Sequence, residues 1–323
     1  MLILSEFDVA ATLSMRDAIE VVQSAFVEHA NGRAAFPLRS VAWGDEGLLG
    51  AMPGSVRGEK PALGAKLVTV FPKNSALGKH THNAVIALFS SETGEPLALL
   101  DGRYITEIRT AAASAIASHA LARSGFSAVA ILGTGVQARA HIEAMCTLKS
   151  VESIRVWGRD ESKASELAAH DSGGGITIKA VASVEDACRG VDVVCTVTAS
   201  ADPILDVQHV APGIHINAVG ACTPRARELT SALVGRSRIV CDSLEGAMTE
   251  AGDIVLAIRD GALDPRPDIA LLGDILAGKV AGRSSAGEIT LFESLGVAIE
   301  DLACAEFVYE RVKSRGGGTE VNL

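Results

Sequence analysis

The stretch from Ser127 to Lys149 constrains the fold more than any other part of this 323-residue chain. It opens with the apolar run Ala128–Leu132, which is typical of a buried parallel strand. The chain then turns at residues 133–135 and enters a helical pattern. The apolar residues on one face of that helix are Ala138, Ile142 and Met145. A strand, a glycine turn and a helix in this order predict the first unit of a dinucleotide-binding fold.

Each small residue of the turn has a defined use in such a fold. Gly133 allows the tight turn, Gly135 lets the backbone approach a pyrophosphate, and Ala138 lets the helix pack closely on the strand. The helix N-terminus adds N–H groups and a partial positive charge for phosphates. An ordinary strand-to-helix turn is the alternative interpretation, because glycine turns are common.

The end of the next predicted strand, Ser153–Trp157, indicates which cofactor would bind. NAD sites usually carry an acidic residue at this strand tip, where this chain has Gly158 followed by Arg159. A guanidinium suits a 2′-phosphate, so NADP(H) is favoured and NAD(H) is possible. A solvated loop charge is the alternative for Arg159, and Asp160 is expected to cap a helix rather than bind ribose.

Composition excludes several classes of partner. The net charge of −10 argues against a nucleic-acid surface, and no apolar run reaches membrane-spanning length. The N-terminus lacks the basic region of a signal peptide. The six cysteines show no metal or disulfide spacing and are expected to be buried thiols in the cytoplasm. They are Cys146, Cys188, Cys195, Cys222, Cys241 and Cys304.

The pattern elsewhere predicts a second, smaller unit. Ser14 and Asp17 form a predicted capping box before a helix, and residues 36–100 read as short, mostly meandering strands. From Ser127 the rhythm becomes β-α-β, with a loop at 171–175, and the tail from Gly316 is expected to fray. The predicted fold class is therefore α/β: a doubly wound, Rossmann-type NAD(P)-binding domain plus a smaller α+β domain.

Three basic residues of the smaller domain lie in unusual surroundings. Lys66 is inside an apolar strand, Arg109 precedes an alanine-rich helix, and Arg39 opens a strand. Together they could bind a substrate carboxylate, although a buried salt bridge is an equal alternative for each. His80 and His82 lie in a predicted polar loop, and such a pair alone is weak evidence for a metal, so none is expected.

At these residues the chain resembles the ornithine cyclodeaminase/mu-crystallin family. The matching segments cover nearly the whole length: GAKLVTVFPKN (64–74), LLDGRYITEIRTAAASAIAS (99–118), ILGTGVQARAH (131–141), TVTASADPIL (196–205), INAVGA (216–221) and TLFESLGVAIEDLACAEFVY (290–309).

The resemblance implies a homodimer built from two-domain chains. Residues 1–120 with 300–323 would form the substrate-binding and dimerisation domain, and 121–299 the dinucleotide-binding domain. The substrate carboxylate would lie among the positions that match Arg39, Lys66 and Arg109, with Lys66 as the proton donor and Thr81 and His82 facing the site. The positions that match cofactor-binding residues are Gly133, Thr134, Gly135, Gln137, Gly158, Arg159, Asp160, Thr196, Val197 and Val219.

One departure from the family pattern separates the possible reactions. Cyclodeaminases and alanine-dehydrogenase-like members carry an Asp where this chain has Cys222, and a neutral thiol is a poor general base. The resemblance therefore favours the NAD(P)H-dependent reduction of a cyclic imino acid, such as Δ1-pyrroline-2-carboxylate or Δ1-piperideine-2-carboxylate, to L-proline or L-pipecolate. A cyclodeaminase or amino-acid dehydrogenase is one alternative. A non-enzymatic ligand-binding protein is the other.

Overall fold

The computed structural model describes residues 1–169 and 175–322. The loop predicted at 171–175 therefore lies, apart from Gly175, outside the described residues. By its internal contacts the chain divides into two units, Met1–Thr110 with Gly296–Leu323, and Ala111–Leu295. These boundaries lie ten and four residues earlier than the positions 120 and 300 expected from the resemblance.

The first part of the chain contains helices and mostly antiparallel strands. The capping box is confirmed: Ser14 and Asp17 each accept a hydrogen bond from the other's backbone N–H at the start of the second helix. The elements up to residue 121 are β1 (Leu2–Leu4), α1 (Glu6–Ala10), α2 (Met15–Ala30), β2 (Ala34–Ala35), β3 (Ser40–Trp43), β4 (Leu48–Val56), β5 (Ala62–Val70), a 3₁₀ helix (Pro72–Leu77), β6 (His82–Phe89), β7 (Pro96–Asp101) and α3 (Arg103–Leu121).

The remaining elements alternate between strands and helices before a long closing helix. They are β8 (Ala128–Leu132), α4 (Val136–Cys146), β9 (Ser153–Trp157), α5 (Glu161–Ala168), β10 (Thr177–Ala180), α6 (Val184–Cys188), β11 (Val193–Thr196), a 3₁₀ helix (Val207–His209), β12 (His215–Ala218), α7 (Ser231–Val234), β13 (Ser237–Cys241), α8 (Leu244–Thr249), α9 (Gly252–Arg259), β14 (Ile269–Leu271), α10 (Leu272–Leu276), β15 (Ile289–Glu293), α11 (Ala298–Arg315) and β16 (Thr319–Glu320).

The first unit is a mixed sheet with helices on one face. Its strand order is β16-β1-β7-β6-β5-β4-β2, with β3 paired to β4, and α11 packs against α2 and strands β4 to β6. Residues on alternate positions therefore separate into a buried face and an open one. The expected fraying of the tail is wrong, because Thr319 and Glu320 pair with β1 and add a strand to the sheet edge.

The second unit is a doubly wound parallel sheet. Its strand order is β10-β9-β8-β11-β12-β15-β13-β14, and every strand pair in it is parallel. Along β8, Val129 and Ile131 belong to one apolar cluster while Ala130 and Leu132 belong to another. Helices thus cover both faces, which confirms the Rossmann-type prediction and explains the continuous apolar run at 128–132.

The strand order reverses between β8 and β11, since β9 and β10 are added on one side of β8 and β11 and β12 on the other. Ligands of open α/β sheets bind at the carboxyl ends of the strands at such a point. Among the helices of the described residues, none is long and apolar enough to cross a membrane.

Candidate functional site

Lys66 lies in the middle of β5 on the buried face of the first unit's sheet. In the strand register it is flanked by Met52 and Ile86, both buried and apolar. The side chain is only 2% exposed, so its ammonium needs an anionic or polar partner. Its Nζ lies 2.7 Å from Oδ2 of Asp301 and donates a hydrogen bond to Oγ1 of Thr106 at 3.4 Å.

Two arginines lie close enough to Lys66 to act on its pKa. Nε of Arg109 donates to Oδ1 of Asp301 at 3.0 Å, and its Nη1 donates to Oε2 of Glu300 at 3.1 Å. Nη2 of Arg39 donates to the carbonyl of Gly296 at 3.4 Å. Gly296 has a φ of +72°, and a Cβ there would lie 2.1 Å from Nη1 of Arg109. Glycine is therefore required at 296, both for the turn and for room beside the guanidinium.

The cluster brings basic and acidic side chains together. Lys66 and Arg109 pair with the buried carboxylates of Glu300 and Asp301, and Arg39 lies close enough to act on the pKa of Lys66. Burial raises the pKa of Glu300, with Arg109 acting in the opposite direction. Guanidinium groups can also bind a ligand carboxylate through charge-assisted hydrogen bonds.

The environment also makes Lys66 a weaker base than a free lysine. Desolvation lowers its pKa to about 8, Asp301 opposes this shift, and Arg109 and Arg39 add to it. An ammonium with a pKa near neutrality can both hold and release a proton at physiological pH.

Thr81 and His82 lie beside the C-terminal end of β5, four residues along the strand from Lys66. The prediction that His82 lies in a polar loop is wrong, because His82 begins β6 and pairs with Val70, so that it lies on the same sheet face as Lys66. Its Nδ1 is 3.0 Å from Oγ1 of Thr81. Desolvation, followed by the positive charge of Lys66, lowers the pKa of His82.

Sequence reasoning missed Glu300 and Asp301, the two acids of this cluster. Two adjacent carboxylates within the apolar stretch VAIEDLACA (297–305) were a usable signal, because buried acids require partners. The salt-bridge alternative raised for the bases is thus present for Lys66 and Arg109.

In the second unit the phosphate-binding turn has the expected geometry. Gly133 has a φ of +142°, and a Cβ on it would lie 2.8 Å from the carbonyl oxygen of Val197. Among the residues that the structure describes, none would lie within 4 Å of a Cβ on Gly135, and none caps with its side chain the helix α4 that begins next to it. The buried Oε1 of Gln137 has no hydrogen-bond partner among the described residues. An uncapped helix terminus, open space and an unsatisfied polar atom fit a dinucleotide pyrophosphate.

The tip of β9 has room for glycine alone. A Cβ at Gly158 would lie 2.4 Å from the methyl group of Thr134. Arg159 follows on the surface. Asp160 caps α5, since its Oδ1 accepts from the backbone N–H of Ser162 at 3.0 Å. That hydrogen-bonded capping role lowers the pKa of Asp160, chiefly through the Ser162 side chain.

The remaining predicted cofactor residues end neighbouring strands. Thr196 ends β11, the N–H of Val197 donates to the carbonyl of Leu132, and the N–H of Val219 donates to the carbonyl of Thr196. These bonds align the ends of β8, β11 and β12 at one edge of the sheet. Cys222 follows, and its thiol donates to the carbonyl of Val219 at 3.3 Å. Within residues 1–169 and 175–322, no group of three or more His, Cys, Asp or Glu residues could hold a metal ion.

Comparison with known proteins gives consistent matches over the full chain. A model of the ornithine cyclodeaminase/mu-crystallin family matches residues 1–316. A Δ1-pyrroline-2-carboxylate reductase of Bacillus cereus is 35% identical over all of both chains. The structure of Thermococcus litoralis Δ1-pyrroline-2-carboxylate reductase with NADH and L-proline superposes with a TM-score of 0.95 at 38% identity, covering 99% of this chain and 100% of that one. An archaeal alanine dehydrogenase dimer with bound NAD has a TM-score of 0.94 at 34% identity, covering 100% of this chain and 99% of that one.

Proposed function

Because the chain belongs to the ornithine cyclodeaminase/mu-crystallin family, we propose that it is an NAD(P)H-dependent reductase of cyclic ketimine carboxylates. The substrate would be Δ1-pyrroline-2-carboxylate, Δ1-piperideine-2-carboxylate or both, and the product L-proline or L-pipecolate. Two similar proteins that match along nearly the whole chain are reductases of the first of these imines.

The observation that carries the proposal is the cluster of basic and acidic side chains in the first unit. Arg39 and Arg109 would hold the substrate carboxylate through charge-assisted hydrogen bonds. Lys66 would give its proton to the ring nitrogen, for which a pKa of about 8 is suitable. The nicotinamide, when bound, supplies a hydride to the imine carbon, so one C–H and one N–H bond form as the C=N double bond becomes single.

The competing deamination needs a group to handle a proton from water or ammonia, and Cys222 meets that need poorly. Its thiol already donates to the backbone carbonyl of Val219. Imine reduction requires no activated water, so a carboxylate at 222 is unnecessary for it. The alanine dehydrogenase among the similar structures keeps an amino-acid dehydrogenase as the second candidate.

We propose that NADPH is preferred over NADH. The similar structures contain NADH or NAD, so this preference rests on the tip of β9 in the present chain. A carboxylate side chain at 158 would collide with Thr134, whereas Arg159 provides a surface guanidinium for a 2′-phosphate.

We also propose that the protein is a homodimer that forms through the open face of the first unit's sheet. That face exposes a patch of large apolar side chains, which is unusual for a monomer. In the strand register Leu67 pairs with Val85 and Leu63 pairs with Phe89, and Leu67 is 42% exposed. A dimeric relative of the same fold supports a second copy as the occupant.

The cytoplasm is the proposed location, because buried thiols suit a reducing compartment. Four of the six cysteines are buried, namely Cys188, Cys195, Cys241 and Cys304.

The test is a cofactor-oxidation assay with both imines and both reduced nicotinamides. We expect rapid oxidation of NADPH with at least one imine, and no ammonia release from L-ornithine or L-alanine. Lys66→Ala should lower kcat by about 10²- to 10⁴-fold, the usual contribution of a positioned proton donor. Lys73→Ala is the matched control, because Lys73 is an exposed lysine paired with Glu46.

Three results would contradict the proposal. Ammonia release from L-ornithine or L-alanine in preference to imine reduction would establish the deaminating alternative. Tight imine binding without turnover would indicate a ligand-binding protein. Unchanged turnover in Lys66→Ala would remove Lys66 from the mechanism.

A further inference from the structure

Glu228 is a fully buried carboxylate that joins two loops of the second unit. Its Oε1 accepts hydrogen bonds from the backbone N–H of Thr198 at 2.7 Å and from the Thr198 hydroxyl at 2.6 Å. Its Oε2 accepts from the backbone N–H of Gly220 at 2.8 Å. Thr198 lies two residues beyond the end of β11, and Gly220 two residues beyond the end of β12. One side chain thus ties together the loops after two neighbouring strands.

The loops after β11 and β12 lie on the opposite side of β8 from β9. The end of β9, with Gly158 and Arg159, is on the side where the adenosine half of a dinucleotide belongs. The nicotinamide half must extend across β8 toward β11 and β12. Val197 and Val219, the residues next to Thr198 and Gly220, are positioned to line it.

The loop pair is tightly constrained. A Cβ at Gly220 would lie 2.1 Å from the carbonyl oxygen of Thr198 and 2.6 Å from Oε2 of Glu228. The backbone of Glu228 is also held by hydrogen bonds. Its N–H donates to Oδ1 of Asp253 at 3.0 Å, and its carbonyl accepts from the N–H of Leu205 at 3.0 Å. The carboxylate therefore has little freedom to follow a displaced loop.

We propose that Glu228 is a positioning residue for the nicotinamide half of the cofactor. By holding the N–H groups of Thr198 and Gly220 on its two oxygens, it sets the spacing of the loops that carry Val197 and Val219. Hydride transfer is sensitive to ring placement, since a displacement of about 1 Å can cost about 10²-fold in rate. This inference rests on the proposed use of a nicotinamide cofactor.

Glu228→Gln tests the inference at nearly constant volume. One oxygen becomes an NH₂ group, which cannot accept from Thr198 or Gly220, so one loop is released. We expect the affinity for NADPH, measured by the fluorescence of the bound nicotinamide, to fall about 10-fold or more and kcat to fall with it. The affinity for 2′-phospho-ADP-ribose, which lacks the nicotinamide, should change less than about 3-fold. This difference between two ligands is one that a general loss of stability would not produce.

Asp192→Asn is the matched control. Asp192 also accepts two backbone N–H bonds, from Ser127 at 3.0 Å and Ala128 at 3.2 Å, but at the amino end of β8. Asp192→Asn should change the affinities for NADPH and 2′-phospho-ADP-ribose equally, or change neither. Thr198→Val removes the hydroxyl that donates to Glu228 and accepts from the N–H of Ser200, but leaves the backbone bonds to Glu228 in place. It provides a milder perturbation if Glu228→Gln does not fold, and should show the same selective loss at smaller size.

Equal changes for the two ligands, or no change for either, in Glu228→Gln and Thr198→Val would overturn the inference. The binding measurement needs no imine, so it succeeds or fails separately from the proposed reaction. If the parent binds NADPH but reduces neither imine, the proposed reaction is wrong while the role of Glu228 stands or falls on the two affinities.

Discussion

Replacing Asp301 by Asn removes one charge beside Lys66 while almost preserving volume. In the parent, Oδ2 of Asp301 lies 2.7 Å from the ammonium. The other charged groups acting on Lys66 are the cations Arg109 and Arg39, and titratable His82 lies on the same sheet face. Desolvation lowers the pKa of Lys66 to about 8 even with Asp301 in place, so loss of the carboxylate must lower it further.

The size of the shift follows from the distance. At an effective dielectric constant of roughly 20, unit charges this close attract each other by about 6 kcal/mol. Water entry and rearrangement would cancel much of this, so we keep only about a quarter, roughly 1.5 kcal/mol. Since one pKa unit corresponds to about 1.4 kcal/mol, the pKa of Lys66 should fall by about one unit or more.

The assay is kcat/KM for imine reduction measured across pH. If Lys66 donates the proton, the parent should lose activity as pH rises above about 8. Asp301→Asn should lose it above about pH 7. The titration of the free imine is common to both proteins and cancels in the comparison.

The matched control is Glu300→Gln, which alters a buried acid that hydrogen-bonds to Arg109. Its alkaline limb should stay within a few tenths of a unit of the parent, because the ion pair of Lys66 with Asp301 is preserved. Removing one partner of a buried ion pair often costs about 3–5 kcal/mol, so melting temperatures must show that each variant is folded during the assay. An unmoved limb in Asp301→Asn, or an equal shift in both variants, would refute the reasoning.

Three further predictions concern the cofactor, the dimer and the stability of the fold. Arg159→Ala should raise KM for NADPH about 10- to 100-fold, the value of one or two charge-assisted hydrogen bonds, and leave KM for NADH almost unchanged; equal effects would remove Arg159 from cofactor selection. Leu67→Glu places a charge on the open sheet face and should convert a dimer to a monomer in sedimentation velocity, whereas a monomeric parent would contradict the proposed interface. Burial raises the pKa of Asp253 to about 8, so between about pH 4 and 8 the folded state keeps a proton that the unfolded chain has already released. The free energy of unfolding should therefore fall as pH rises through that window. Asp253→Asn should therefore flatten the fall in melting temperature over this range, and an unchanged slope would show that Asp253 does not titrate there.

The local pattern of the sequence was sufficient for the dinucleotide-binding architecture. The apolar run Ala128–Leu132 forms a strand because it is buried on both sides, and Gly133 sits at a φ that side chains rarely adopt. These features depend on neighbours in sequence, on backbone sterics and on periodicity, so they can be predicted from the local sequence. The same holds for Asp160, whose capping role follows from its place just before a helix.

The partners of the buried charged side chains could not be predicted from the local sequence. Lys66 stood out as a buried cation, but its acid lies on α11, and the Arg109–Asp301 bond joins positions 192 residues apart. Similarly, Glu228 serves loops from two other strands, and Gly158 is required because Thr134 packs against it. A sequence shows that a buried charge or a glycine needs an explanation, whereas only tertiary packing selects the group that supplies it, because contact energies depend on distance in space and not along the chain.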